Sequence, residues 1–298
     1  MTDQASVQAF FDPATNTVSY MVADTESRQA VFIDPVLDYD HSSGKVSTES
    51  AERMLAAARE SGMKVVRILE THAHADHLSA APFLQEHTGA PVCIGEHIST
   101  VQTIFKPVFN LPGVSGAGSE FDELFRDGDL FSVGALQARV LHTPGHTPAC
   151  IAYVIGDAVF VGDTLFMPDY GTARADFPGG NAQTLYRSIR RLLELPPSTR
   201  VFVCHDYKAK GRDHFAWETT IEAQRRGNVH VHDGVSEEEF VQMRTERDKT
   251  LTAPTLLLPS IQVNIRAGRW PEPEENGRRY LKIPLDLDGP PPGSSAGT

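Results

Sequence analysis

The chain has 298 residues, of which 40% are hydrophobic and 22% charged, so it is long enough to bury a large core, and its formal charge of −12 excludes a broad nucleic-acid footprint. No apolar run approaches the roughly 18 residues of a membrane span. The opening "MTDQASVQAFFDPATN" has Asp3 and Pro13 where a secretory leader needs basic residues and an unbroken apolar stretch. Three cysteines, Cys93, Cys150 and Cys204, are too few and of the wrong parity for a disulfide framework, so the expected setting is cytoplasmic and each thiol is expected to be buried.

In chain order, "VSYMVAD" from Val18 and "AVFIDP" from Ala30 are expected strands. "STESAERMLAAARESGM" predicts a helix capped by Ser47 or Thr48, with Met54, Leu55 and Ala58 as its apolar stripe and Gly62 as its stop. "KVVRILE" is a buried strand running straight into "THAHADH", and a helix is expected from His77 through "HLSAAPFLQEHTG". "APVCIG" is a strand, a helix follows, and the Pro- and Gly-rich segment 106–120 is a loop. "DLFSVGALQARVLHTPGHT", "CIAYVIGDAVFVGDTLF" and "RVFVCHDY" predict strands with polar residues at their ends, Gly156-Asp157 being a hairpin turn. Helices are expected in "NAQTLYRSIRRLLEL", "HFAWETTIEAQRRG" and "SEEEFVQMRTERDKT". This alternation indicates mixed sheets covered by helices, with a main domain over 1–250, an extended arm over 251–287 and a disordered tail over 288–298. The arm is a plausible homodimer contact.

Candidate metal ligands fall where predicted strands end: His72, His74, Asp76 and His77, then His146 in "HTPGHT", Asp163 in "VGDTLF" and His205 in "VCHDY". The spacing of "HAHADH" does not suit one helix face. It suits a loop that sends His72 and His74 toward one ion and Asp76 and His77 toward an adjacent position. Imidazole and carboxylate donors suit zinc, iron or manganese, and the lack of cysteine pairs disfavours a closed structural zinc site. His41, His87, His97, His214, His230 and His232 are read as surface or hydrogen-bonded groups, and His142 as a supporting residue. Lys208, Lys210 and Arg212 could hold a small anion or form a solvated loop.

These residues resemble the H-x-H-x-D-H pattern of the metallo-β-lactamase superfamily, over roughly Val18 to Arg226. The resemblance implies an αβ/βα sandwich with the metal site along one edge between two sheets. "HTPGHT", "GDTLF" and "HDY" resemble the glyoxalase II and persulfide dioxygenase branches, and "ARADF" with the C-terminal "LLLPSIQVNIRAGRWPEPEENGRRYLKIPLD" resembles the latter.

Two ligand sets follow from that resemblance. In a persulfide dioxygenase, His72, His146 and Asp163 would hold one Fe(II), with open positions for the sulfur of glutathione persulfide and for dioxygen, giving sulfite and glutathione. Tyr207 and Arg174 would then contact the glutathione part or support the site, and Asp76 would orient ligands or water. In a glyoxalase II-type hydrolase of glutathione thioesters, His72, His74 and His146 would hold one Zn(II), Asp76, His77 and His205 a second, and Asp163 would bridge them. The resemblance of Arg174 to Phe177 and of the C-terminal arm, with the absence of the long helical substrate domain expected of glyoxalase II, favours the first.

Overall fold

The computed structural model describes residues 4–285; the tail expected from Asp288 lies outside the described residues. The first half runs β1 (Ser6–Asp12), β2 (Thr17–Asp24), β3 (Gln29–Ile33), β4 (Val36–Asp40), β5 (Lys45–Ser47), α1 (Glu49–Glu60), β6 (Lys64–Leu69), β7 (Leu78–Ser79), α2 (Ala81–Thr88), β8 (Val92–Gly95), α3 (Ile98–Val108) and β9 (Glu123–Phe125). Five of these strands and β9 form a mixed sheet in the order β1-β2-β3-β6-β8-β9, while β5-β4-β7 form a small separate sheet. The second half runs β10 (Leu130–Val133), β11 (Leu136–His142), β12 (Ile151–Ile155), β13 (Ala158–Phe160), α4 (Ala182–Leu192), β14 (Arg200–Phe202), β15 (Glu218–Thr220), α5 (Ile221–Gly227), α6 (Glu237–Asp248) and α7 (Leu257–Asn264). Its six strands form one mixed sheet in chain order, parallel only between β13 and β14.

The two large sheets face one another. Val18, Tyr20, Val31 and Ile33 of the first pack with Val133, Val140, Tyr153, Phe160 and Phe202 of the second. Outside the first sheet, α1, α2, α3 and α7 bury Met54, Leu84, Val101 and Ile261. Outside the second, α4, α5 and α6 bury Leu185, Ile189, Ile221 and Phe240. All eight residues of β2 are buried, as a strand covered on both faces requires. The expected αβ/βα sandwich is the fold.

Four segments differ from expectation. The helix after the histidine cluster starts at Ala81, because Leu78 and Ser79 pair with Leu37 and Val36 and keep His77 in a loop; Pro82 then sits in the first turn. In "HFAWETTIEAQRRG" the backbone pairing of Glu218–Thr220 with β14 claims the β-branched threonines as a strand, and Thr220 caps a shorter helix at Ile221. Segment 106–120 begins inside α3, which tolerates Pro107 in its last turn. The C-terminal segment, expected to be extended, contains the helix α7, because Ile261 and Val263, with Ile265 and Ala267 just beyond, bury one apolar face in the core.

Strand direction places the site. β6, β11, β13 and β14 all end at one edge of the sandwich, so His72, His146, Asp163 and His205, each a few residues beyond a strand end, converge there. The turn carrying His146 depends on Gly145: at φ +140° it lies against α4, where an added Cβ would sit 2.3 Å from the Leu185 backbone. Ser188 of α4 donates to the Pro144 carbonyl at 2.6 Å, and Asn181 donates from its backbone to the Gly145 carbonyl at 2.8 Å.

Candidate metal centre

All seven residues expected as ligands meet at this edge. Donor atoms of His72, His146 and Asp163 lie within 4.8 Å of one another, as do those of His74, Asp76 and His77, and those of His74, Cys204 and His205. The His72 ring centroid is 4.0 Å from that of His74 and 5.3 Å from that of His146. His205 Nε2 is 3.3 Å from Asp163 Oδ1 and 3.4 Å from Asp76 Oδ2.

In each ring one nitrogen is engaged by the protein. His72 Nδ1 meets the Thr71 hydroxyl at 3.0 Å, His74 Nε2 the Asp34 carboxylate at 3.0 Å, and His77 Nδ1 the Asp76 carboxylate at 3.0 Å. His146 Nδ1 meets the Arg174 carbonyl at 2.9 Å, and His205 Nδ1 the Asn16 carbonyl at 3.3 Å. Donation from these nitrogens fixes the tautomer and turns the other nitrogen's lone pair to the centre. Accordingly His72 Nε2, His74 Nδ1, His77 Nε2, His205 Nε2 and Asp163 Oδ1 are buried and make no hydrogen bond. Each such atom costs about 1–3 kcal/mol unless something satisfies it. Five acceptors converging in this state fit a cation with nitrogen and carboxylate ligands.

At His72 and Asp76 the electrostatics agree with that fit, whereas at His74 and His205 burial is outweighed by the Asp34 carboxylate and by the Asp76 and Asp163 carboxylates respectively, and both imidazoles are raised. Burial, reinforced by His74 and His146, holds the His72 imidazole well below its usual pKa and thus neutral, as a ligand must be. Burial acts to raise the Asp76 carboxyl, but His205 and His77 outweigh it and hold the group ionised.

Other groups of the site are not evident from the linear motif. Asp34, at the end of β3 with φ +48°, accepts from the Thr71 backbone at 2.7 Å and hydroxyl at 2.8 Å as well as from His74. Glu70 approaches the same His74 nitrogen at 3.4 Å and accepts from Ser79. Thr17 donates to Asp76 at 3.1 Å, and its backbone bridges to His205 across the two sheets. Asn264 of α7 donates to the carbonyls of His74 and His77 and accepts from the Ser79 backbone at 2.9 Å. Only Asp34 carried a sequence signal, a carboxylate before Pro35 at the end of an apolar strand.

A cavity of about 830 Å³ opens on the cluster at Asp76, His146 and Asp163 and is walled by Tyr207, Arg174 and the segment Leu251–Leu256. Tyr207 stacks on His205 at 5.7 Å; desolvation, with Asp76 and Asp163, raises its hydroxyl so that it remains a proton donor. The Arg174 guanidinium is held by Asp176 at 2.6 and 2.7 Å and by the Thr252 carbonyl at 2.7 Å. It meets the cavity as one half of an ion pair while its own carbonyl orients His146. Of the residues read as surface groups, His41 lines this cavity too. His142 bonds the Pro148 carbonyl at 2.9 Å and stacks on His97, outside the cluster. Arg212 is paired with Asp206 and Asp169 and Lys208 lies over Phe215, which leaves exposed Lys210 as the member of that basic cluster without a partner among the described residues. The thiols are all buried; Cys204 bonds Asp34 at 3.7 Å, and burial pushes Cys150 up to about 12.

The cavity's outer wall has a pH-sensitive support. His230 Nδ1 accepts from the Thr172 backbone at 3.1 Å, and burial with nearby Arg244 and Arg247 lowers its pKa to about 4. A lowered histidine stabilises the fold fully above the unfolded value near 6.5, and that contribution is lost as pH falls toward 4. Discounted for solvent reaching the half-buried ring, about 2 kcal/mol should disappear across this window. His230→Gln keeps the acceptor without the proton, so its urea midpoint should fall less between pH 7 and 4.5 than that of the wild type; parallel curves would refute the assignment.

The metallo-beta-lactamase superfamily model matches residues 13–205, which takes in every residue of the cluster. The chain belongs to the metallo-beta-lactamase superfamily. It is 54% identical to a probable metallo-hydrolase of Burkholderia pseudomallei, over 94% of this chain and 99% of that one. It is 48% identical to Glyoxylase B2 of Dictyostelium discoideum, over 96% and 99% respectively. Mitochondrial persulfide dioxygenase ETHE1 of Homo sapiens is 29% identical over 88% of each chain. The crystal structure of ETHE1 from Myxococcus xanthus superposes with a TM-score of 0.70 at 35% identity, covering 89% of this chain and 100% of that one. The chain is thus a metal enzyme of this superfamily, with a small-molecule site. Among the described residues no helix is long and apolar enough to cross a membrane.

Proposed function

We propose that the protein is a persulfide dioxygenase that oxidises glutathione persulfide with dioxygen. The observation that carries this reading is the cluster of His72, His146 and Asp163, two imidazoles and one carboxylate within 4.8 Å, at the floor of a cavity large enough for a tripeptide thiol. The similarity to ETHE1 supports it. These three residues would hold Fe(II), which would offer open positions for dioxygen and a sulfur ligand and pass electrons from the sulfur to the oxygen. The balance is one persulfide, one dioxygen and one water to one glutathione, one hydrogen sulfite and one proton: the terminal sulfur is oxidised, dioxygen is reduced, and water cleaves the sulfur–sulfur bond.

The chain's own groups position the reactants. Asp76, held by Thr17 and His77, presents a carboxylate to the cavity, and Tyr207 a hydroxyl that can donate to the substrate. Arg174 acts through His146, whose Nδ1 its carbonyl fixes, and through Thr252 of the cavity wall. The segment from Leu251 onward serves the main domain as an arm that closes this wall.

A glyoxalase II-type hydrolase is the second reading. The unsatisfied nitrogens of His77 and His205 beside Asp76 support a second ion, as does the 48% identity to Glyoxylase B2. Iron-loaded protein prepared without oxygen should take up dioxygen on addition of glutathione persulfide and contain about one iron per chain. No uptake above background, with S-lactoylglutathione cleaved by protein holding about two zincs, would give the site to the hydrolase.

A further inference from the structure

Three arginines line the cavity, and two are neutralised. Arg174 is paired with Asp176, and buried Arg244 with Asp248 at 2.6 Å. The third, Arg247 in the last turn of α6, is exposed and has no ion pair among the described residues, although Glu239 and Glu246 line the shallow groove on its other side. The β4–β5 hairpin forms another part of the wall and contributes Asp40. That carboxylate accepts from the Ser42 backbone at 2.9 Å and the Ser43 hydroxyl at 2.7 Å, has the His41 imidazole as its neighbour in the cavity wall, and is paired with no arginine or lysine among the described residues. Away from the metal cluster, the cavity therefore carries one arginine without an ion pair and one carboxylate without an arginine or lysine partner, on different elements. Neither position belongs to a motif of the metal site.

We infer that the cavity reads the non-reacting end of its substrate by opposed charge, Arg247 receiving a carboxylate and Asp40 an ammonium group. The site then selects sulfur compounds built on a zwitterionic amino acid or short peptide over neutral thiols. A guanidinium offers a carboxylate two parallel donors, and a ligand that covers these exposed groups without pairing them takes their charge out of water uncompensated. This rests on the cavity being the substrate site, and it holds for a persulfide or a thioester alike.

The test reads binding without turnover. S-methylglutathione and its diethyl ester are titrated calorimetrically into metal-loaded full-length protein. Wild type should bind the diacid about tenfold more tightly than the ester, the scale of one charge-assisted contact. Arg247→Gln should remove that preference by weakening the diacid alone, and Arg247→Lys should restore most of it. Asp40→Asn should weaken both ligands, which share the ammonium, and leave N-acetyl-S-methylglutathione unchanged. Equal affinity of wild type for diacid and ester, or a preference that survives Arg247→Gln, overturns the inference. Discrimination as expected in protein that consumes no oxygen supports it and removes only the dioxygenase reading.

Discussion

His72→Ala is expected to lower metal retention to under about a tenth of the wild-type content and turnover by at least about a thousandfold, whichever metal the site prefers. The imidazole is 2% exposed and its Nε2 has no protein partner, so its role in the metal-free fold is confined to packing and one contact with Thr71. Removing an unsatisfied acceptor offsets part of the packing loss. Metal-free wild type and variant should therefore melt within a few degrees of each other. They should separate on addition of metal: an ion at a hundred times its dissociation constant stabilises the wild type by about 2.7 kcal/mol, and the variant should gain almost none. A variant that still shifts with zinc or iron as the wild type does would mean that His72 is not a ligand.

The candidate ligands were legible because metal coordination demands particular residue types, and a chain that delivers them from strand ends concentrates them in short polar runs after apolar ones. "THAHADH" after β6, "HTPGHT" after β11, "GDT" after β13 and "CHDY" after β14 all have that form. The same alternation indicated mixed sheets covered by helices, and the sandwich itself was implied by the resemblance to the superfamily. What the sequence hid was set by pairing over long separations. His77 belongs to a loop rather than a helix because residues 78–79 pair with β4, forty residues upstream in the chain's order, and nothing local to "HLSAAPF" encodes that. Asn264 in "PSIQVNIRAG" looks like any polar helix residue until α7 folds back onto the histidine loop. Arg247 reads as one charge in a charged helix, and only the burial of Phe240, Arg244 and Asp248 on one face shows which neighbours are already paired.

Asn264→Ala should test how far the metal loop depends on the C-terminal helix. The Asn264 side chain is nearly buried, at 4% exposure, and makes three hydrogen bonds to backbone groups of His74, His77 and Ser79. Truncation leaves two carbonyls and one amide without partners in a dry interface and opens a small cavity. A loss of about 3 kcal/mol follows, which for a chain of this size lowers the melting temperature by about 5 °C. Because those carbonyls flank the ligand side chains, the loop should also hold its donors less firmly, and metal affinity should fall at least about tenfold. Asn264→Asp separates the two contributions: it keeps the acceptor for Ser79 but sets a carboxylate against the carbonyls of His74 and His77, so it should be no more stable than the alanine variant. Ile261→Ala, in the core-facing part of the same helix, should cost similar stability through packing while leaving metal affinity in the folded protein near wild type. If Asn264→Ala and Ile261→Ala lost metal affinity equally, α7 would matter to the site only as part of the fold, and the specific hold of Asn264 on the loop would be disproved.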